Sequence, residues 1–266
     1  MPVSAARCAV PLLLLLACVP RNAAAAEPDR AQDDPRWTVA VGAGAQYLPR
    51  WLGADRQQWQ AIPFFDIEAP GLGELSSTDG LTVPLAKAGR WQAGLYGHYL
   101  WGRSRSDLGP ALSAAVPTIH TRLHAGGFVE YQAATALAIG ARLGHDLGSD
   151  GAYLNLYADY DLPPVWYLQQ SLSLGWRGMN GAAMRRYFGI DAQAAAQLGS
   201  DAWRPGAGSQ QVSANYSLFV PTSQHTGMAL SLEYARMLGG AADSPLLERF
   251  GSRGQWERSV AFVYHF

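Results

Sequence analysis

Cysteine is nearly missing from this 266-residue chain: two are present, Cys8 and Cys18, both ahead of residue 27. A mature chain starting at that point holds no disulfide and no thiolate metal site. Long apolar runs are missing as well. The run from Leu12 to Val19 is about ten residues at most, against the roughly 20 of a transmembrane helix, and no later segment matches even that. A helical inner-membrane protein is thereby excluded. Charge is scarce at 15% of residues and nearly cancels to a net −1, so there is no basic footprint of a nucleic-acid binder. No P-loop, dinucleotide fingerprint or EF-hand loop occurs, and Gly42-Ala43-Gly44 is followed by no helix.

What is present is an intermediate polarity, 48% hydrophobic residues with a mean hydropathy of −0.06. A barrel whose alternate residues face lipid gives such a value. The 29 glycines and 12 tyrosines suit tight turns and interfacial aromatic girdles. At the start, Arg7, the apolar run and Ala23-Ala24-Ala25-Ala26 read as a secretory signal over 1–26, cleaved after Ala26. Leu15-Leu16-Ala17-Cys18 resembles a lipoprotein box, which would lipidate Cys18 instead. A polar leader over 27–36 then precedes a barrel over 37–266. At the end, Val260, Phe262, Tyr264 and the terminal Phe266 share one face of a strictly alternating segment, the pattern of a barrel-closing strand with lipid on one side. A soluble edge strand with four such groups exposed would invite aggregation.

The alternation predicts an all-β fold, an antiparallel transmembrane β-barrel of about 12 strands (10–12) in the bacterial outer membrane, with outer-membrane lipid around it. The segments are 37–47, 58–67, 80–86, 91–101, 122–132, 135–147, 151–160, 165–177, 186–193, 208–220, 227–238 and 256–266, of which those near Gly80 and Arg186 are short and weakly patterned. With both termini in the periplasm, parity puts the stretch 102–120 on the periplasmic side and 239–255 outside. Periplasmic turns are usually short, so a miscounted strand, for instance at 111–116, is the alternative.

Assigning faces by alternation points His98, Arg122, Glu130, Arg142, Asp146, Asp159, Arg177 and Glu233 inward. They read either as a mutually neutralising network that fills a narrow barrel or as the lining of a selective pore or binding cavity. Ser171 and Ser173 also face inward, but His145 at a strand end makes no nucleophile and base pair with them. His120 and His124 are four apart, a helical spacing that in a strand makes two inward side chains rather than a metal site. No catalytic residue, metal or cofactor is expected.

Several short pieces together are similar to one family, the MipA/OmpV group of outer-membrane proteins, also called MltA-interacting proteins. They are Gly42-Ala43-Gly44, Tyr47-Leu48-Pro49, Gly53-Ala54-Asp55, Tyr187-Phe188-Gly189-Ile190, Ala242-Asp243-Ser244-Pro245-Leu246-Leu247, then Gly251, Gln255 and Tyr264-His265-Phe266. Arg50-Trp51 and His265 depart from the family's usual pattern. The resemblance implies a scaffold that holds a lytic transglycosylase and a peptidoglycan synthase at the outer membrane in cell-wall assembly. Other members resemble adhesins or stress-response barrels, and a small-solute pore is the further alternative. The family has no agreed catalytic residues to carry over. The Asp243-Ser244-Pro245 segment reads as turn chemistry.

Overall fold

The computed structural model describes residues 37–100 and 102–266. The expected signal, its cleavage site and the leader lie outside the described residues. Twelve antiparallel strands close into a barrel: β1 Thr38–Pro49, β2 Gln57–Ala69, β3 Gly73–Ser76, β4 Gly80–Ala88, β5 Trp91–Leu100, β6 Arg122–Ala134, β7 Leu137–Asp146, β8 Ala152–Val165, β9 Leu168–Met179, β10 Gly208–Pro221, β11 Thr226–Met237 and β12 Gly254–His265. Each pairs with its sequence neighbour, and β12 returns to β1, where Ala40 stands opposite His265 and Tyr47 opposite Arg258. At this seam glycine is required for close approach. A Cβ on Gly42 would lie 2.2 Å from the Phe262 carbonyl oxygen, and one on Gly44 2.2 Å from that of Val260.

The outward faces carry the apolar residues that alternation assigns. Phe262 and Tyr264 on the closing strand and Phe266 just after it are exposed, while Ala261 and Val263, which alternate with them, are buried. Aromatic pairs gather at two levels. Trp91–Tyr131 and Tyr264–Phe266 lie at the end bearing the barrel's termini, and Tyr47–Trp59 and Tyr234–Trp256 towards the other. Two girdles flanking an apolar band match a wall spanning hydrocarbon.

The total of twelve conceals two compensating corrections. β3 has four residues, too few to show an alternation, and was missed. The segment 186–193 is not a strand. Helix α2, Gly181–Phe188, and helix α3, Ala192–Leu198, occupy it, with Asn180 and Asp191 as N-caps whose side chains accept from Ala183 N at 2.9 Å and Ala194 N at 2.8 Å. Capping at both starts and an alanine-rich run outweigh a weak strand pattern. The extra early strand reverses parity for everything between it and the false one. The stretch 102–120 therefore lies at the same end as 239–255, and the expectation of a long periplasmic loop is overturned. Residues 111–116 are no strand either, since helix α1, Arg105–Leu112, runs into them.

With parity corrected, every long connection lies at one end: 50–56, 102–121, 147–151, 180–207 and 238–253. The end bearing both barrel termini has only the tight turns 70–72, 89–90, 135–136, 166–167 and 222–225. Outer-membrane barrels keep short turns in the periplasm and long loops outside, so the cell exterior is the long-loop end.

One stretch of wall is low. β3 and β4 meet at the turn 77–79, yet β2 continues past Phe65 to Gln57 and β5 past His98 to Leu100 with no strand between them. Ser77 N donates to the Phe65 carbonyl at 2.8 Å, which fixes the side towards which Phe65 directs its backbone groups. Alternate residues direct theirs the same way, so Pro63, Ala61 and Trp59 face this gap, and Pro63, lacking N–H, is placed as edge prolines are.

Candidate functional site

The inward side chains gather into two charge groups, joined through the rings of His98, His124 and Tyr153. In the first, Arg142 on β7 reaches Asp79 in the β3–β4 turn at 2.9 Å. Three strands lie between them along the wall, so this pair crosses the lumen. His98 secures the same turn through Nε2 and the Thr78 carbonyl at 3.1 Å. The Arg142 guanidinium sits 5.1 Å from the centre of the Tyr157 ring, and the Tyr157 hydroxyl donates to Glu130 at 3.0 Å. Arg177 donates to Asn155 at 2.9 Å, and Asp159 is hydrogen-bonded to Ser173, its opposite number on β9. Glu233 stands directly across from Glu257, which accepts from Gln46 at 3.2 Å.

The second group is nearer the long-loop end. Asp146 is fully buried and receives Arg186 at 2.8 Å, Ser149 at 2.6 Å and Tyr153 at 3.4 Å, with Arg122 Nε at 3.6 Å. Beside it runs an aromatic column that alternation did not reveal: His98, His124 and Tyr153 stack at 5.6 Å intervals, and Tyr96 meets His124 edge-on at 5.3 Å. Gly144 makes room for it, since a Cβ there would lie 2.3 Å from the Tyr96 hydroxyl. Ser171 and Ser173 are buried, and among the described residues no three His, Asp or Glu side chains gather as metal ligands.

Above these groups the long connections build a cap with its own apolar core. Trp51 and Ala54 come from the connection 50–56, Leu108, Leu112, Val116 and Ile119 from the one between β5 and β6, Met184, Phe188 and Ile190 from 180–207, and Leu246 and Leu247 from 238–253. These connections spring from opposite sides of the barrel, so the cluster spans its mouth. The last one holds α4, Gly239–Ala242, and α5, Pro245–Phe250. Ser244 is the N-cap of α5, with Pro245 in its first turn, and its hydroxyl donates to the Phe188 carbonyl at 2.7 Å. The segment read as turn chemistry is thus a helix start that also ties two loops together.

Arg103 completes the cap. It is 4% exposed and donates to the carbonyls of Tyr187 at 2.8 Å, Pro117 at 3.2 Å and Arg186 at 3.3 Å. Burial pulls its pKa down to about 10, still high enough to keep the charge on. The negative end of α2 compensates for the missing carboxylate.

The short pieces singled out in the sequence meet here. Gly53-Ala54 bridges to Gly251, Gln255 accepts from Gly53 N at 3.2 Å and donates to the Ala54 carbonyl at 3.1 Å, and Ser244 joins Phe188. The family MltA-interacting protein MipA matches residues 41–266. The chain belongs to the MipA family. The protein is accordingly an outer-membrane β-barrel of that family.

No curated protein sequence matches. Among solved structures, the chain is similar to the NanC porin at 9% identity and a TM-score of 0.38, covering 86% of this chain and 99% of that one. It is also similar to an outer-membrane channel from Pseudomonas putida F1 at 11% identity and 0.39, covering 90% and 100%. An anion-selective porin from Comamonas acidovorans stands at 9% and 0.31, covering 86% and 99%.

Proposed function

We propose that this MipA family protein is a non-enzymatic anchoring body that holds a lytic transglycosylase, and through it a peptidoglycan synthase, against the inner side of the outer membrane. The observation that carries the reading is the cap: a mouth spanned by a buried apolar cluster, above a lumen crossed by Arg142 and Asp79, suits a solid body better than a conduit. The family's name, MltA-interacting protein, supports a partner of that kind. With the long loops outside, docking falls to the short-turn rim. The β8–β9 hairpin is the best point on it. β8 runs on from Tyr160, its last partner on β7, to Val165, and the tip Val165-Trp166-Tyr167 is exposed. Trp166 is 88% exposed, and its φ of +59° is the one the first position of this two-residue turn between Val165 and Leu168 requires.

A surface adhesin is the second reading, favoured by the same cap, which is the part of the chain offered to the exterior. A photo-reactive residue in place of Trp166 in living cells separates them. Recovery of a lytic transglycosylase from that position, and not from a probe at Arg105 on the cap, is the expected outcome. Capture of an extracellular ligand at Arg105 with no periplasmic protein at Trp166 would move the assignment to an adhesin.

A further inference from the structure

The lipid-facing positions of the strands carry almost no charge. Followed by register around the barrel, they hold apolar, aromatic, small or neutral polar residues, and among the described residues Arg236 and Arg258 are the only Arg, Lys, Asp or Glu on that face. Arg258 on β12 stands opposite Leu232 on one side and Tyr47 on the other, and Arg236 on β11 stands opposite Gly254 and Val212. Leu232, Val212 and Trp256 on this face are exposed, as are both arginines. Glu233 and Glu257, at alternate positions, turn into the lumen.

The girdle at the long-loop end sets the depth of the pair. Trp256 lies between the two arginines along β12, with Tyr234 against it at 4.9 Å, and Tyr47 beside Arg258 packs on Trp59 at 5.0 Å. The four residues from Gly254 to Arg258 cover about 13 Å of strand. Arg258 is therefore on the membrane side of Trp256 and Arg236 on the exterior side. An arginine on the lipid face is costly in proportion to its depth. Nothing in the protein offsets that cost, since neither guanidinium makes a hydrogen bond or ion pair with any described residue.

General anchoring at the interface would spread charge around the rim. Instead the matching outward positions on β5, β6, β8 and β9 are Tyr99, Leu123, Leu154 and Trp176, and His145 on β7 is tied to the Asp146 carbonyl at 2.7 Å. Both cations fall on two adjacent strands. A guanidinium fork matches phosphate oxygens in pairs, and its long stem lets the charge reach up to a head group.

We propose that the β11–β12–β1 face binds a phosphorylated lipopolysaccharide of the outer leaflet, its phosphates on Arg236 and Arg258 and its sugar and acyl region against Trp256, Tyr234 and Tyr47. This lipid site shares the outward placement of the cap and is independent of the periplasmic partner.

Lipid A, its dephosphorylated form and phosphatidylglycerol are titrated into the purified full chain in detergent, with binding followed by thermophoresis and native mass spectrometry and folding by heat-modifiable gel mobility. Saturable binding of lipid A is expected, weakened by added salt and roughly tenfold by R236Q or R258Q. R204Q, which removes an exposed arginine of the cap, should leave it unchanged. Should R258Q fail to fold, R236Q, on the exterior side of the girdle, carries the test alone. Equal binding of dephosphorylated lipid A or phosphatidylglycerol, or binding of lipid A that the arginine substitutions leave unchanged, overturns the site.

Discussion

At the scale of single residues, the interior is governed by what can fit beside the large inward groups. Gly144 is the clearest case. Alternation marks it as inward, but only the packed barrel shows that His124 and Tyr153 stack across its strand while Tyr96 closes in at 2.3 Å from where a Cβ would stand. Gly144→Ala is expected to destabilise the barrel by about 1–3 kcal/mol through overpacking. Gly148→Ala, with nothing within 4 Å of the added carbon, is the matched control and should be near neutral. Urea unfolding in lipid vesicles, followed by tryptophan fluorescence, measures both. The charged candidates were legible one by one, because each falls on an inward position of its strand. Their partners were not. Asp79 and Arg186 lie in connections, where alternation has nothing to say, and both proved to hold the arginine or aspartate that the strands present.

At the scale of elements, the smallest strand matters most. A four-residue β3 leaves β2 with an edge that faces no strand over Trp59 to Pro63. Residues bonded to β1 alternate with residues facing the gap, so protection should alternate too. Amide hydrogen exchange is expected to be faster at Trp59 and Ala61 than at Ile62 and Phe64, a contrast that residue-resolved NMR in micelles would reveal. Uniform slow exchange along β2 would mean that the gap is closed. The helices α2 and α3 teach a related lesson. Their caps, Asn180 and Asp191, are present in the sequence, each two to three residues ahead of an alanine-containing run. Even so, a loose alternation of Tyr187 with its neighbours is the stronger signal when every other segment is a strand. Short helices inside loops carry little periodicity, and burial of Met184, Phe188, Ala194 and Ala195 in the cap core adds to the caps that hold them.

For the whole molecule, topology turns on parity. The corrected strand set puts α1 and the rest of the cap outside and the β8–β9 tip in the periplasm. Because no cysteine follows Cys18, single-cysteine labelling is clean. A cysteine at Arg105 should react with an impermeant maleimide on intact cells, and one at Tyr167 only after the outer membrane is permeabilised. The reverse pattern would invert the barrel and remove the basis for a periplasmic docking tip. Leu108, by contrast, is unsuitable for any surface probe, since it is buried in the cap core.

The sequence by itself determined the class of this protein. Period-two alternation dictates which side chains face lipid, aromatic pairs mark the two interfaces, and short motifs name the family, because each of these is a local property of a strand or a turn. Tertiary structure alone decided the rest: which end carries the loops, which charges meet across the lumen, and that the family's motifs converge in one cap. Those depend on register and closure, where one strand more or less reverses the side of every later connection. Residues as far apart as Gly53 and Gln255 become neighbours only when β12 returns to β1.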